Sequence, residues 1–282
     1  MTSSGCDEVL VLKFGGTSVA TPKRIRRAAL RVRAQLRRGY SVAVVVSAAG
    51  HETDHLLARI GAVAGAEAAG SSDPAVRREV DRVLATGEDR SAGVLALALQ
   101  ALGIPALSMR GGEAGIMAVG DFGAGVIERV HTANVRRLMA RGVVPVVSGF
   151  QGERLDGETV TLGRGGSDTS AVALAAALGA KECHIVTDVD AVYDRDPRLY
   201  PDAKPYETLD FAELIALTEA GAQVVHPRAA RLAATHQLPL RVYDFRAPWS
   251  GGGTLITATA PAHAEAATAP ERSDVPLVME VA

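Results

Sequence analysis

The chain has 282 residues, is 48% hydrophobic and 4% aromatic, and balances 30 basic against 32 acidic side chains for a formal charge of −2. That length and apolar content supply the core of one large α/β domain or two small ones, while the near-neutral charge and few rings exclude a bulk electrostatic or base-stacking nucleic-acid binder. Two distant cysteines, Cys6 and Cys183, no charged-then-apolar leader and no membrane-length apolar run point to a soluble cytoplasmic protein with no membrane association.

In chain order, Val9 to Phe14 reads as a buried strand, and Pro22 opens a helix. In that helix the basic residues from Lys23 to Arg38 interleave with Ile25, Ala28, Ala29, Val32 and Leu36. The spacing predicts a solvated basic helix face. Val42 to Ser47 follows as a strand, then helical patterns near 54–69 and 74–102; no element is assigned from 103 to 142. Val143 to Ser148 and Thr159 to Leu162 read as strands, Ser167 to Leu178 as a helix, and His184 to Thr187 as a strand. Helices near 210–219 and 226–236 and a strand at Leu240 to Tyr243 complete the alternation. Leu155 to Leu162 has the turn chemistry of a hairpin at Asp156–Gly157. Strand and helix in alternation predict a three-layer α/β/α sandwich with a largely parallel central sheet. From Thr257 to Ser273 the composition shifts to Ala, Pro, Thr and Glu, the mark of a flexible tail, and Val275 to Val281 reads as an added strand or a frayed end.

Three segments carry chemistry. Val9 to Phe14 empties into Gly15-Gly16-Thr17-Ser18, where amides in a glycine turn can approach phosphate oxygens and Lys13 adds a full positive charge. A glycine turn made only for packing is at least as common, and neither a Walker A loop nor a protein-kinase catalytic loop occurs. The second segment is Gly163-Arg164-Gly165-Gly166-Ser167-Asp168 before an apolar helix. Ser167 is the expected N-cap, and the helix end beside Arg164 suits a carboxylate or phosphate. The third, Thr187 to Arg198, leaves a strand end as an acidic loop, the position where parallel sheets bind ligands.

Together, KFGGTS, GRGGSDTSA and TDVDAVYDRDPR in this order resemble the signatures of aspartate kinases in the amino acid kinase family. The resemblance runs from about Val9 to Ile256 and takes in TGED at 86–89, GFQG at 149–152, VVHPRA at 224–229 and GGTLI at 252–256. It implies the amino acid kinase fold, with an amino-acid lobe over about 1–180, a nucleotide lobe over about 181–256 and a tail at 257–282. It further implies ATP-dependent phosphorylation of the side-chain carboxylate of L-aspartate, with Mg²⁺ as cofactor on ligands it does not assign, and a homodimer.

Carried onto this chain, the resemblance gives ATP the residues Lys13, Gly15, Gly16, Thr17, Ser18, Ser47, Thr187, Asp188, Tyr193, Asp196 and Arg198. The amino acid takes Thr53, Glu88, Arg164, Gly165, Gly166 and Ser167, with Glu88 on its amino group and Arg164 on its α-carboxylate. Lys13 and Asp168 are catalytic, with Asp168 expected to orient Lys13 and the metal-bound phosphates. Only 26 residues follow Ile256, too few for an ACT regulatory module, so feedback through such modules is not expected.

Some positions depart from the family pattern: Gln223 in place of a lysine, Glu113 in place of a glutamine, and Val242-Tyr243-Asp244-Phe245 in place of a serine-containing strand end. These leave open another acidic amino acid or aspartate analogue as substrate, or a catalytically weakened regulatory protein. His51-Glu52-Thr53-Asp54-His55 formally matches the HExxH zinc-hydrolase pattern, a rival that needs both histidines on one helical face.

Overall fold

A computed structural model describes residues 8–222, 224–246 and 252–258. Gln223, Cys6 and the tail beyond Ala258, with its candidate strand from Val275 to Val281, lie outside the described residues.

The chain forms β1 (Val9–Phe14), α1 (Pro22–Arg37), β2 (Ser41–Val46), α2 (Glu52–Ala64), α3 (Pro74–Gln100), β3 (Ala106–Met109), β4 (Ile116–Val119), β5 (Val126–Val130) and α4 (Ala133–Met139). It continues through β6 (Val144–Ser148), β7 (Gln151–Glu153), β8 (Thr159–Thr161), α5 (Gly166–Leu178), β9 (Glu182–Thr187), β10 (Thr208–Leu209), α6 (Phe211–Glu219), α7 (Pro227–Thr235), β11 (Leu240–Asp244) and β12 (Thr254–Ile256). Eight strands make one sheet in the order β10-β12-β11-β9-β1-β2-β6-β3, parallel except where β12 runs against β11. Order grows outward from β1 in both directions, so the carboxyl ends of β1, β2 and β9 border the switch point at which open α/β sheets bind ligands.

The apolar run of β1 is explained by burial on both faces, and its alternation sorts side chains between two cores. Leu12 and Phe14 pack with Val42, Val44 and Val46 of β2 beneath α1 and α3. Val11, Ala43 and Val45 point the other way, toward α4, α5, α6 and α7. Lys13 shares the parity of Val11 and therefore emerges on the α5 side.

The turn read at Asp156–Gly157 does join a hairpin, but its first strand is β7 at Gln151–Glu153, ahead of the 155–162 range, and with β8 it belongs to a second sheet of order β5-β4-β7-β8 rather than to the central one. Asp81, 1% exposed on α3, joins the two parts by accepting from the amides of Gly123 (2.8 Å) and Thr161 (2.7 Å) and from the Thr161 hydroxyl (2.8 Å). The basic face of α1 is only partly solvated. Arg31 is 6% exposed and donates to the carbonyls of Asp244 (3.2 Å) and Phe245 (3.0 Å), an arrangement that the sequence pattern assigned to water. Among the described residues no helix is long and apolar enough to cross a membrane.

Candidate active site

Lys13, brought out by the parity of β1, meets Asp168 in the first turn of α5, with Nζ 2.6 Å from Oδ1 and the two side chains only 11% and 13% exposed. The second oxygen of Asp168 accepts from the amide of His226 (3.2 Å), which fixes the carboxylate from the N-terminus of α7. A pair so shielded holds its geometry at the end of the sheet, because removing either partner leaves an uncompensated buried charge.

The loop before α5 is anchored on the same helix. Arg228 donates to the carbonyls of Leu162 and Arg164, both at 2.6 Å, and His226 caps α7 by accepting from the Arg228 amide (3.3 Å). Gly165 sits at φ 74°, and a Cβ there would enter the His226 ring, so both backbone conformation and space demand glycine. Gly165, not Ser167, is the N-cap: α5 starts at Gly166, which leaves Ser167 inside the first turn with no capping bond. The left-handed residue makes the chain reversal that a serine cap would otherwise make. Arg164 is exposed, and its guanidinium makes no hydrogen bond or ion pair among the described residues.

The glycine turn after β1 is stitched to its neighbours. Gly15 N–H (3.0 Å) and Ser18 Oγ (3.1 Å) both donate to the carbonyl of Val186 on β9, and Ser47 N–H donates to Phe14 (3.1 Å). A Cβ on Gly16 would lie 2.6 Å from the Ala48 carbonyl, so the turn can pass the exit of β2 only as glycine. Lys13, Gly15, Gly16, Ser18 and Ser47 are thus one cluster, with Thr17 exposed at its rim. Thr187 and Asp188 follow at the end of β9, bonded to each other at 3.2 Å. The loop beyond is not drawn into the cluster: Tyr193 donates to Asp190, and Asp196 pairs with Arg198 at 3.1 Å in solvent.

Glu88, 3% exposed on α3, accepts from the Ala48 amide through Oε1 (2.9 Å), whereas Oε2 has no protein partner. Burial pushes its carboxyl up from 4.5 to about 7, against the opposing pull of the Ala48 amide and the more remote charge of Lys13. Thr53 stands half-buried in the first turn of α2.

The HExxH stretch crosses the start of α2 as the cap His51 and the helix from Glu52. Both histidines are exposed, at 85% and 77%, and Glu52 is held by Arg90 at 2.6 Å. Among the described residues no three His, Cys, Asp or Glu side chains gather as a metal cage, so the zinc rival lacks its ligands.

Three contributors escaped the sequence reading. The Ala48 amide is a backbone group with no side-chain signal. His226 and Arg228 were visible only as part of VVHPRA, with no role attached.

Comparison with known proteins agrees with this geometry. The signature of the amino acid kinase family matches residues 8–244. Aspartokinase 2 of Bacillus subtilis (strain 168) is 43% identical over 248 residues, 88% of this chain and 58% of that protein. The structure of an aspartate kinase from Synechocystis superposes with a TM-score of 0.76 at 37% identity, covering 91% of this chain and 40% of that one. E. coli aspartokinase III in complex with aspartate and ADP gives a TM-score of 0.78 at 27% identity, over 90% of this chain and 65% of that one. The chain thus spans little more than half of the curated relative it matches, and across that span, with the sheet and site just described, it belongs to the amino acid kinase family.

Proposed function

We propose that this chain carries the catalytic machinery of an aspartate kinase, moving the γ-phosphoryl group of ATP onto the side-chain carboxylate of L-aspartate to form an acyl phosphate. The observation that carries the reading is the shielded Lys13–Asp168 pair at the carboxyl edge, on the same loop as an unpaired Arg164. The identity to aspartokinases supports aspartate over other acceptors. On this reading residues to about 180 form the amino-acid lobe and 181–256 the nucleotide lobe of one domain, working in the cytoplasm as a homodimer.

A carboxylate nucleophile is already ionised near neutral pH, since its ordinary pKa is about 4, so no general base is needed. The barrier is repulsion between two anions, and the protein lowers it by positioning and by cations. Arg164 supplies a planar fork for the α-carboxylate and Glu88 a negative charge for the ammonium. Lys13, oriented by Asp168, places its charge on the phosphoryl oxygens. Unit charges about 4 Å apart at an effective dielectric of about 20 interact by roughly 4 kcal/mol, about three decades of rate.

Gly15, Gly16, Thr17, Ser18, Ser47, Thr187 and Asp188 would line the nucleotide, with Tyr193, Asp196 and Arg198 contributed by the loop after β9. Mg²⁺ needs only one or two carboxylates beside phosphates and water, and Asp188, exposed at the end of β9, would be the residue to hold it. When bound it neutralises charge developing on the phosphates.

Trapping of the acyl phosphate with hydroxylamine tests the proposal, using MgATP with L-aspartate, glutamate and aspartate analogues in parallel. Hydroxamate from aspartate is the expected result. Product from another acid alone would replace the substrate, and no product from any acid would overturn the reaction.

A further inference from the structure

His226, the cap of α7, is fixed against the Lys13–Asp168 pair at three points. Its backbone amide donates to Asp168 Oδ2 at 3.2 Å, and the other oxygen of that carboxylate holds Lys13 Nζ at 2.6 Å. The Cγ–Cδ2 edge of the ring lies over Gly165, where a Cβ would stand 2.0 Å from Cγ and 2.2 Å from Cδ2. Nδ1 accepts the Arg228 amide at 3.3 Å.

The third contact sets the tautomer. A backbone N–H can only donate, so Nδ1 is the bare nitrogen and the proton of the neutral ring sits on Nε2. The surroundings keep the ring neutral. Burial lowers its pKa, the Arg228 guanidinium lowers it further, and Arg164 and Arg231 act in the same direction against the opposing pull of Asp168. Nε2 has no partner among the described residues, and it is not sealed from solvent. The cap therefore presents an open, neutral N–H donor of fixed tautomer beside Arg164 and Asp168. Capping alone does not call for it, since serine, asparagine or aspartate would serve α7 as well.

The neighbours indicate what this donor serves. Lys13 and His226 engage the two oxygens of one carboxylate, so an anion drawn to the Lys13 ammonium enters the same corner as the His226 ring. A second cation there would compete with Lys13 for Asp168, whereas a neutral imidazole adds a hydrogen bond and leaves the pair intact.

We propose that His226 is a further catalytic residue of this site, its Nε2–H donating to a non-bridging oxygen of the phosphoryl group as that group passes from ATP to the substrate carboxylate. The inference rests on the proposed function and extends it. The carboxylate oxygen bonds to phosphorus as the bond to the β–γ bridging oxygen breaks, and ADP leaves with the electron pair. The proton stays on Nε2 throughout, so His226 acts on the charge of the group in transfer and not as an acid or base.

The test compares wild type, His226→Asn and His226→Gln by hydroxamate formation, each assayed below its own melting temperature. Asn keeps the two tasks the fold requires, the backbone amide on Asp168 and a capping oxygen for the Arg228 amide, but its side chain stops short of the Nε2 position. Gln returns a neutral N–H donor at about the reach of Nε2. The expected result is a kcat about 10- to 100-fold lower in His226→Asn, the factor carried by a hydrogen bond to a charged group, with KM for ATP and for aspartate within about twofold. His226→Gln regains part of the lost kcat. Near-wild-type kcat in His226→Asn would overturn the proposal by showing that the residue only caps α7 and steadies Asp168. A Gln variant no faster than Asn, or a loss confined to KM at unchanged kcat, would overturn it as well. Wild-type protein that makes no hydroxamate from any acid would instead overturn the proposed function, a result read before any variant is compared.

Discussion

Two charges are buried on opposite faces of the sheet at the same edge, and they are held in opposite ways. On the α5 side Lys13 has a full counter-charge at 2.6 Å, and the Asp168 partner is itself fixed by the His226 amide. On the α3 side Glu88 has one amide on one oxygen and nothing on the other. The first arrangement is complete in the protein alone, as suits a cation that must keep one position while substrates come and go. The second is incomplete until a donor arrives, so its charge state is left for the ligand to set. On the proposed function the paired charge is fixed machinery, and the unpaired one answers to the ligand.

The largest effect follows from breaking the paired side. Lys13→Met should cut kcat for hydroxamate formation by about three decades, the rate equivalent of one cation near the transferred phosphoryl group. It should also lower stability by leaving Asp168 uncompensated, by up to about 3–5 kcal/mol. Lys13→Met with Asp168→Asn separates the two roles: the double variant recovers much of the melting temperature and none of the turnover. Recovery of turnover, or near-wild-type rate in the single variant, would remove Lys13 from the mechanism.

Arg164 is the next lever because it is exposed and carries no structural bond through its side chain. Arg164→Ala should raise KM for aspartate about 10- to 100-fold through the lost fork to the α-carboxylate. Its melting temperature should match wild type, since only the Arg164 carbonyl is used by the fold. A drop of several degrees would mean that the guanidinium supports the loop and not the substrate.

The unpaired side is sharpened by pH. The folded pKa of Glu88 is raised from 4.5 to about 7 by burial, so the folded protein holds this proton more tightly than the unfolded chain. The resulting stability is present below about pH 4.5 and is lost as pH rises toward about 7, on the order of 3 kcal/mol for a shift of that size. Thermal melts from pH 5 to 8 should therefore show wild type falling relative to Glu88→Gln. Saturating aspartate should restore more stability at pH 8 than at pH 5.5, because its ammonium pairs with the ionised form. Parallel melting curves for the two proteins across that range would contradict the raised pKa.

The parts legible in the sequence were those with a strong local signal. Central strands such as β1 and β2 are apolar runs, interrupted in β1 only by Lys13, α1 begins with Thr21-Pro22, and the glycine-rich segments at 15–16 and 163–166 announce turns. The Lys13–Asp168 pairing was expected from the resemblance, with Asp168 orienting Lys13, but no local pattern encodes its geometry, which depends on the parity of β1 against the position of α5. From 103 to 142 the helix α4 and the strands β3, β4 and β5 were missed, and the strands are the instructive case. They are four to five residues long, and β5 reads exposed and half-exposed along its whole length, so alternation had too little room to show. Ser167 was misread as a cap because serine is a common N-cap, whereas here the positive φ of Gly165 makes the turn. Glu88 was named from resemblance, but its unpartnered oxygen is a property of the packing of α3 against the exit of β2, which no local pattern encodes.

The smallest expected effect comes from the clamp that basic patterning alone would leave in solvent. Arg31 crosses from α1 to the end of β11, donating to the carbonyls of Asp244 and Phe245 while its guanidinium lies 4.9 Å over the Tyr243 ring. Phe245 in turn donates its amide to Thr187 at 2.9 Å, and Thr187 belongs to the strand end proposed to line the nucleotide. Arg31→Met keeps the apolar stem and deletes the fork, so it should cost about 2 kcal/mol of stability and raise KM for ATP about threefold, with KM for aspartate unchanged. The asymmetry between the two substrates is the informative part. Arg31 acts on β11 and β9, on the far side of β1 from Glu88, so an equal rise in both KM values would mean that the two halves of the sheet edge move together and that the proposed division into nucleotide and amino-acid sides does not hold.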